Sequence, residues 1–126
     1  MAEVIAPANI LEEIELSDLL PVVMTKKKEG LRLSQACAAY VNGKYELSYS
    51  FADDVTYQLT TLRVVIDVDA KVPSITEIVP QAIFYENEMK ELFGVNIEMI
   101  ALDYNNKLYR IEEEAPFGPK KEENNG

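Results

Sequence analysis

An Asn-Gly pair at residues 42–43 is followed by eight residues that alternate without a break. Tyr45, Leu47, Tyr49 and Phe51 fall on one side, and Lys44, Glu46, Ser48 and Ser50 on the other. Asn-Gly favours a type I′ turn, because both turn residues need positive φ, and period-two alternation marks a half-buried strand. A two-residue loop pairs Val41 with Lys44. It then sets Tyr40 opposite Tyr45, Ala38 opposite Leu47 and Ala36 opposite Tyr49. Small side chains thus face large ones on the core side, and Cys37 falls opposite Ser48 on the outer face. A slip of one residue would exchange the faces and reverse that assignment.

The remaining segments are arranged around this hairpin. Residues 17–30 predict a helix with Ser17 as N-cap, Asp18 at the positive end of the dipole, Lys26, Lys27 and Lys28 at the negative end, and Gly30 as the C′ residue. The lysine run reads as a favourable helix end rather than a binding patch. Residues 56–68 predict a third strand. Tyr57 and Leu59 have one phase and Leu62, Val64, Ile66 and Val68 the other, so a bulge near Thr60 and Thr61 is expected. A second helix spans residues 80–94, and residues 95–100 and 107–111 are candidate late strands about a turn at 103–106. The fold class is α+β: two layers, a mixed or antiparallel sheet with helices on one face, in the order helix–strands–helix–strands. Residues 17–111 form the domain, residues 1–16 an N-terminal arm and residues 112–126 a flexible tail.

Composition removes most chemistry. With no histidine and one cysteine, the chain cannot build a structural zinc site, an iron–sulfur cluster, a four-thiolate nickel site, a Ser-His-Asp triad or an internal disulfide. A net charge of −10 argues against nucleic acid and anionic lipid as direct partners. No apolar run reaches the ~18 residues that a membrane span needs, and the first residues do not read as a signal peptide. The expectation is a cytoplasmic chain without direct membrane insertion. It has no catalytic, cofactor-binding or metal-binding residue of its own.

Residues 72–94 are the most informative stretch. Ser74 can cap a short helical turn, with Glu77 three residues on as in a capping box. Pro80 opens the helix that follows and Gly94 closes it. On a 100° wheel Ala82, Tyr85, Met89, Leu92 and Phe93 form a stripe facing the sheet. Glu86 lies at the edge of that stripe, half-buried and in need of a partner in this chain or the next. Asn87 and Glu91 point away from it. Phe84 lies on the polar side, one turn before Glu88, where an exposed ring suits an interface. Glu86 and Glu88 project about 200° apart, a poor geometry for one catalytic site.

Pro73-Ser74-Ile75-Thr76, Ala82, Tyr85-Glu86-Asn87-Glu88 and Leu92-Phe93-Gly94 together resemble the signature of the thirty-kilodalton (C) subunit of respiratory complex I. Two departures matter. Asn87 replaces the arginine of the Tyr-Glu-Arg-Glu box, and residues 95–102 lack the Gly-His-Pro-Asp-Leu-Arg-Arg block that follows Phe-Gly in that family. With Pro116-Phe117 near its end, the short chain looks more like the homologous small D-type subunit of energy-converting, membrane-bound nickel–iron hydrogenases. The resemblance implies a cofactor-free peripheral-arm subunit, held on the cytoplasmic face of the membrane by its partners. Those partners would be a hydrogenase-type large catalytic subunit and the adjacent iron–sulfur small subunit, which carry the nickel–iron centre and the iron–sulfur clusters. The complex would couple electron flow between ferredoxin and protons to ion translocation. The alternatives are the equivalent subunit of a complex I-like NADH or quinone-linked dehydrogenase, or a stand-alone interaction or assembly protein. Pro73, Ser74, Phe84, Tyr85, Glu86, Glu88, Phe93 and Gly94 are the candidate interface or motif residues.

Overall fold

The computed structural model describes residues 9–98 and 117–118. The Asn-Gly turn forms as the sequence requires: Asn42 has φ 51° and Gly43 φ 76°. It joins β2 (Arg32–Val41) to β3 (Lys44–Ala52), in the register deduced from the loop length, with Tyr40 opposite Tyr45, Ala38 opposite Leu47 and Cys37 opposite Ser48.

β4 (Leu59–Asp67) pairs antiparallel with β3 through nine consecutive residues, so the expected bulge at Thr60 and Thr61 is absent. The phase conflict is resolved earlier in the chain. Asp53 Oδ1 accepts the N–H groups of Val55 and Thr56, and Tyr57 takes a positive φ of 61°, so Tyr57 belongs to the loop. The irregularity of the sheet lies instead in β2, between Leu33 and Gln35.

Part of the segment expected to be an N-terminal arm belongs to the sheet. Residues Ile10–Glu13 form β1, which lies parallel to β4 at the sheet edge and gives the order β1-β4-β3-β2. The sheet is therefore mixed. The pattern Ile-Leu-Glu-Glu carries no alternation by which a sequence reading could find this strand.

A 3-10 turn (Leu16–Asp18) leads into α1 (Leu19–Lys28). Ser17 lies within that turn and makes no side-chain cap, so the expected N-cap is corrected. The C-terminal end follows expectation. Gly30 has φ 81°, its N–H reaches the Lys27 carbonyl and the Leu31 N–H reaches that of Lys26, which is a Schellman closure. Lys26 pairs with Glu12 of β1 at 3.2 Å, and Lys27 Nζ donates to the Ile78 carbonyl at 2.6 Å, so two of the three lysines pin the helix to its neighbours.

Beyond the sheet, β5 (Lys71–Pro73) pairs in parallel with β6 (Asn96–Glu98). Between them run a turn, α2 (Ala82–Glu88) and a π-helical turn (Met89–Phe93) that ends at Gly94, φ 80°. β6 falls within the expected strand 95–100, whereas the expected strand 107–111 lies outside the described residues.

One core joins the two layers. Tyr45, Leu47, Tyr49 and Phe51 of β3 and Leu62, Val64 and Ile66 of β4 are buried against Leu19 and Val23 of α1 and Ala82 and Met89. Each fully buried large side chain contributes roughly 1.5–3 kcal/mol of apolar burial, so Tyr49, Phe51, Leu47 and Leu62 anchor the sheet. The opposite sheet face carries its own compensation. Lys44 pairs with Asp67 at 3.3 Å, Ser50 shares a 2.9 Å hydrogen bond with Thr61, and Arg63 Nε lies 2.9 Å from Glu46 without hydrogen-bond alignment.

Candidate functional site

The motif residues meet where the turn after β5 touches α2. Pro73 is paired with Glu98 in the β5–β6 ladder, and the Ser74 N–H donates to the Glu98 carbonyl at 2.9 Å. On the helix side, Ser74 Oγ donates to Glu86 Oε1 at 2.6 Å. The Ile75 N–H is shared between both Glu86 oxygens at 3.2 Å each. Ser74 Oγ in turn accepts the Thr76 N–H at 3.1 Å and lies 2.6 Å from Thr76 Oγ1. Because the Ser74 hydrogen is directed at Glu86, the Thr76 hydroxyl supplies the hydrogen in that last contact.

Ser74 therefore caps the turn as its sequence context predicts, but the carboxylate of the expected capping box is replaced. Glu77 is exposed, and Glu86 takes its place from the next helix. Glu86 is fully buried rather than half-buried, and the partner it requires is in this chain. Burial pushes its carboxyl up to about 7, opposed in part by the hydrogen bonds from Ser74 and Ile75. Tyr49, also fully buried, has its phenol raised above the usual value by burial and then by the charge of Glu86. The Tyr49 hydroxyl meets no hydrogen-bond partner among the described residues.

Tyr85 and Phe93 are half-buried against the core, as expected of the stripe. Each makes a specific tie. Tyr85 Oη donates to the Ser34 carbonyl at 3.1 Å, at the irregularity in β2, and Tyr45 Oη donates to the Phe93 carbonyl. The second tie continues into the tail. Phe117 N–H donates to the Leu92 carbonyl at 2.6 Å, and its ring tilts against Phe93 at 5.6 Å. A Cβ on Gly118 would lie 1.8 Å from the Phe93 carbonyl oxygen, so only glycine permits that approach. Within the tail expected to be flexible, these two residues are thus docked on the body.

The outer side of the helix differs from the wheel. Asn87 and Glu91, expected to face away, are both buried. Asn87 folds its amide back onto the Ile83 carbonyl at 2.8 Å, and the helix is covered on more sides than a one-faced amphipathic pattern allows. The π-helical turn inserts an extra residue per turn and moves Glu91 off its 100° position, so Leu92 is half-buried while Glu91 is inside. Phe84 is 58% exposed, as expected, and Glu88 is half-buried.

The structure thus joins Pro73, Ser74 and Glu86 in one cluster, ties Tyr85 and Phe93 to the sheet and tail, places Gly94 at the end of the π-helical turn, and leaves Phe84 on the surface. Ile75, Thr76 and Tyr49 complete the cluster. Ile75 contributes a backbone group, which carries no side-chain signal, and Tyr49 reads in the sequence as one more core aromatic. The arrangement is a clamp between two segments rather than a cleft. An open depression of about 310 Å³, lined by Glu13, Ile14, Glu15, Arg63 and Val65, lies elsewhere and includes none of these residues. Among the described residues no group of three or more His, Cys, Asp or Glu is placed to hold a metal, and no helix is long and apolar enough to cross a membrane.

Comparison with known proteins bears on the same region. The family model for the 30 Kd subunit of respiratory-chain NADH dehydrogenase matches residues 10–106. The C subunit of NADH-quinone oxidoreductase from Ruegeria pomeroyi is 30% identical over 79 residues. The match covers 58% of this chain, which spans 40% of the length of that relative. In fold, the chain resembles a component of an archaeal respiratory membrane complex, the membrane-bound sulfane sulfur reductase. The TM-score is 0.72 at 19% identity, over 88% of this chain and 67% of the other.

Proposed function

The chain belongs to the 30 Kd subunit family of respiratory-chain NADH dehydrogenase, and from that premise we propose that it is a non-catalytic peripheral-arm subunit of an energy-converting, membrane-bound nickel–iron hydrogenase. The observation that carries the structural role is the clamp. The family motif is spent on fastening the turn at residues 73–76 to α2 through Ser74, Ile75 and Glu86, not on lining a substrate cleft. A chain of this kind supplies shape to a larger assembly. Redox cofactors would then reside in the partners, a large catalytic subunit and an iron–sulfur small subunit, on the cytoplasmic side of the membrane.

Asn87 and the sequence after Gly94 favour the hydrogenase branch over the quinone-reducing one. Asn87 is buried and its amide bonds the helix backbone, so it fills its site without a charge. The fold shared with an archaeal membrane-bound respiratory complex supports membership in a membrane-associated assembly. Phe84, exposed on α2 away from the sheet, is the proposed contact with the large subunit, with Glu88 one turn on.

The test is affinity purification of the tagged chain from its native cell, with mass-spectrometric identification of what accompanies it. Nickel–iron hydrogenase subunits are the expected companions. An NADH- or quinone-linked dehydrogenase would replace this reading with the second one, which the Ruegeria pomeroyi relative favours. A chain that purifies alone under mild conditions would refute both.

A further inference from the structure

We propose that the last residues of β4, beyond the end of β1, form a docking edge for an extended, lysine- or arginine-bearing segment of a partner protein, which adds there as a short strand. The inference stands whichever complex the chain belongs to.

The edge is left open by the way β1 ends. β1 pairs with β4 from Ile10 opposite Thr60 to Glu13 opposite Arg63, and β4 runs on to Asp67. The Ile14 N–H makes one more bond, to the Arg63 carbonyl at 2.9 Å, and the chain then leaves into the 3-10 turn at Leu16. Backbone groups along an antiparallel strand point to alternate sides, so those of Val65 and Asp67 face the same way as those of Arg63. The Asp67 carbonyl is taken by the Ala70 N–H at 3.0 Å. The Val65 N–H, the Val65 carbonyl and the Asp67 N–H are thus directed past the end of β1, where no strand of the described sheet lies. Strand donors and acceptors in this state are a template for one more strand.

The surroundings select the occupant. Beside this edge lies the depression of about 310 Å³ lined by Glu13, Ile14, Glu15, Arg63 and Val65. Val65, 55% exposed, supplies an apolar contact. The one cation of the lining is already engaged, since Arg63 Nε lies 2.9 Å from Glu46. Among the described ion pairs none includes Glu13 or Glu15. The depression therefore offers two carboxylates to a cationic side chain on a strand laid along Val65. An acidic segment is repelled. So is a second copy of this chain at the same edge, because across a two-fold axis it would bring its own Glu13 and Glu15. A basic segment also complements the chain as a whole, whose net charge is −10.

The experiment is amide hydrogen exchange of the full chain, read residue by residue by NMR, with short blocked peptides of alternating valine and lysine or alternating valine and glutamate. Exchange at Val65 and Asp67 is expected to be fast in the free chain. The lysine peptide should slow it about tenfold at about ten times its dissociation constant, and the glutamate peptide should not. Glu13→Lys combined with Glu15→Lys should transfer the protection to the glutamate peptide. Val65→Pro deletes the outward N–H without touching the ladder to β3, and should abolish the response at Asp67. If Val65→Pro does not fold, the charge-reversed variant decides. Slow exchange at both amides in the free chain overturns the proposal, because the edge would already be covered. No protection by the lysine peptide, equal protection by both peptides, or protection by the lysine peptide that survives charge reversal overturns it as well.

Discussion

Replacing Glu86 by glutamine tests the physical account of the clamp most directly. The carboxyl is fully buried and raised by that burial from 4.5 to about 7. Between those values the folded chain holds a proton that the unfolded chain has released. The associated stability is fully present below pH 4.5 and is lost as the pH rises through 7. At 1.36 kcal/mol for each pH unit, the ionised form at pH 8.5 costs ~3 kcal/mol relative to the protonated form. The substituted glutamine would imitate the protonated state. Its carbonyl oxygen can accept from Ser74, but its amide nitrogen cannot accept from Ile75. The variant should therefore match wild type within ~1 kcal/mol at pH 5 and exceed it by ~2 kcal/mol at pH 8.5. Urea unfolding followed by circular dichroism at pH 5, 7 and 8.5 gives the difference. Other titrating groups cancel, because they are common to both chains. A glutamine variant whose relative stability is independent of pH, or falls further behind at pH 8.5, would refute the reasoning. Glu86 would then be held as a stabilised anion.

Gly118→Ala should release residues 117–118 from the body, because the new Cβ meets the Phe93 carbonyl oxygen at 1.8 Å. Faster amide hydrogen exchange at Phe117 and an unchanged fold elsewhere are expected, and retained protection there would count against the docking. Gly94→Val places a β-branched residue at φ 80° and should lower stability by ~1–3 kcal/mol, measured by denaturant unfolding. Tyr85→Phe removes the bond to the Ser34 carbonyl and should cost ~1 kcal/mol, with enhanced exchange confined to the end of β2. Phe84→Ala should change stability by less than ~0.5 kcal/mol while lowering recovery of partner subunits in a pull-down; unaltered recovery removes Phe84 from the interface.

The hairpin can be deduced from its sequence because a two-residue loop and strict alternation leave one register. Gly30 and Gly94 are likewise legible, since each must take the left-handed conformation that ends a helical segment. β1 is not, because a short edge strand paired in parallel to a distant partner carries no local pattern. Tyr57 misleads the strand boundary: its positive φ is imposed by the bonds that Asp53 makes within the loop. The site is half legible. Its motif residues stand out as a cluster of fixed spacings, and Glu86 stands out as a carboxylate in need of a partner. Which group meets that need is a tertiary fact, because Ser74 and Glu77 satisfy the local capping pattern equally well on paper. The wheel places Glu91 outside because it assumes one period throughout, and the π-helical turn breaks that period at Met89; Asn87, which precedes that turn, is buried because the helix is covered on more than one side.

The parallel pairing of β1 with β4 also governs when the four-stranded sheet can be completed. Residues Ile10–Glu13 have no place to go until Thr60–Arg63 are available, about fifty residues later. At ribosomal rates of about 5–20 residues per second, the first strand waits roughly 3–10 s after its own synthesis. The meander of β2, β3 and β4 is local and can assemble in sequence as it emerges, with β1 added last as a seal on the exposed edge. Ile10 and Leu11 stay exposed even in the folded chain, so the pairing covers the backbone edge rather than these side chains, and the glutamates at 12, 13 and 15 follow them directly. Acidic residues of this kind keep a waiting apolar segment from pairing with the strand of another nascent chain.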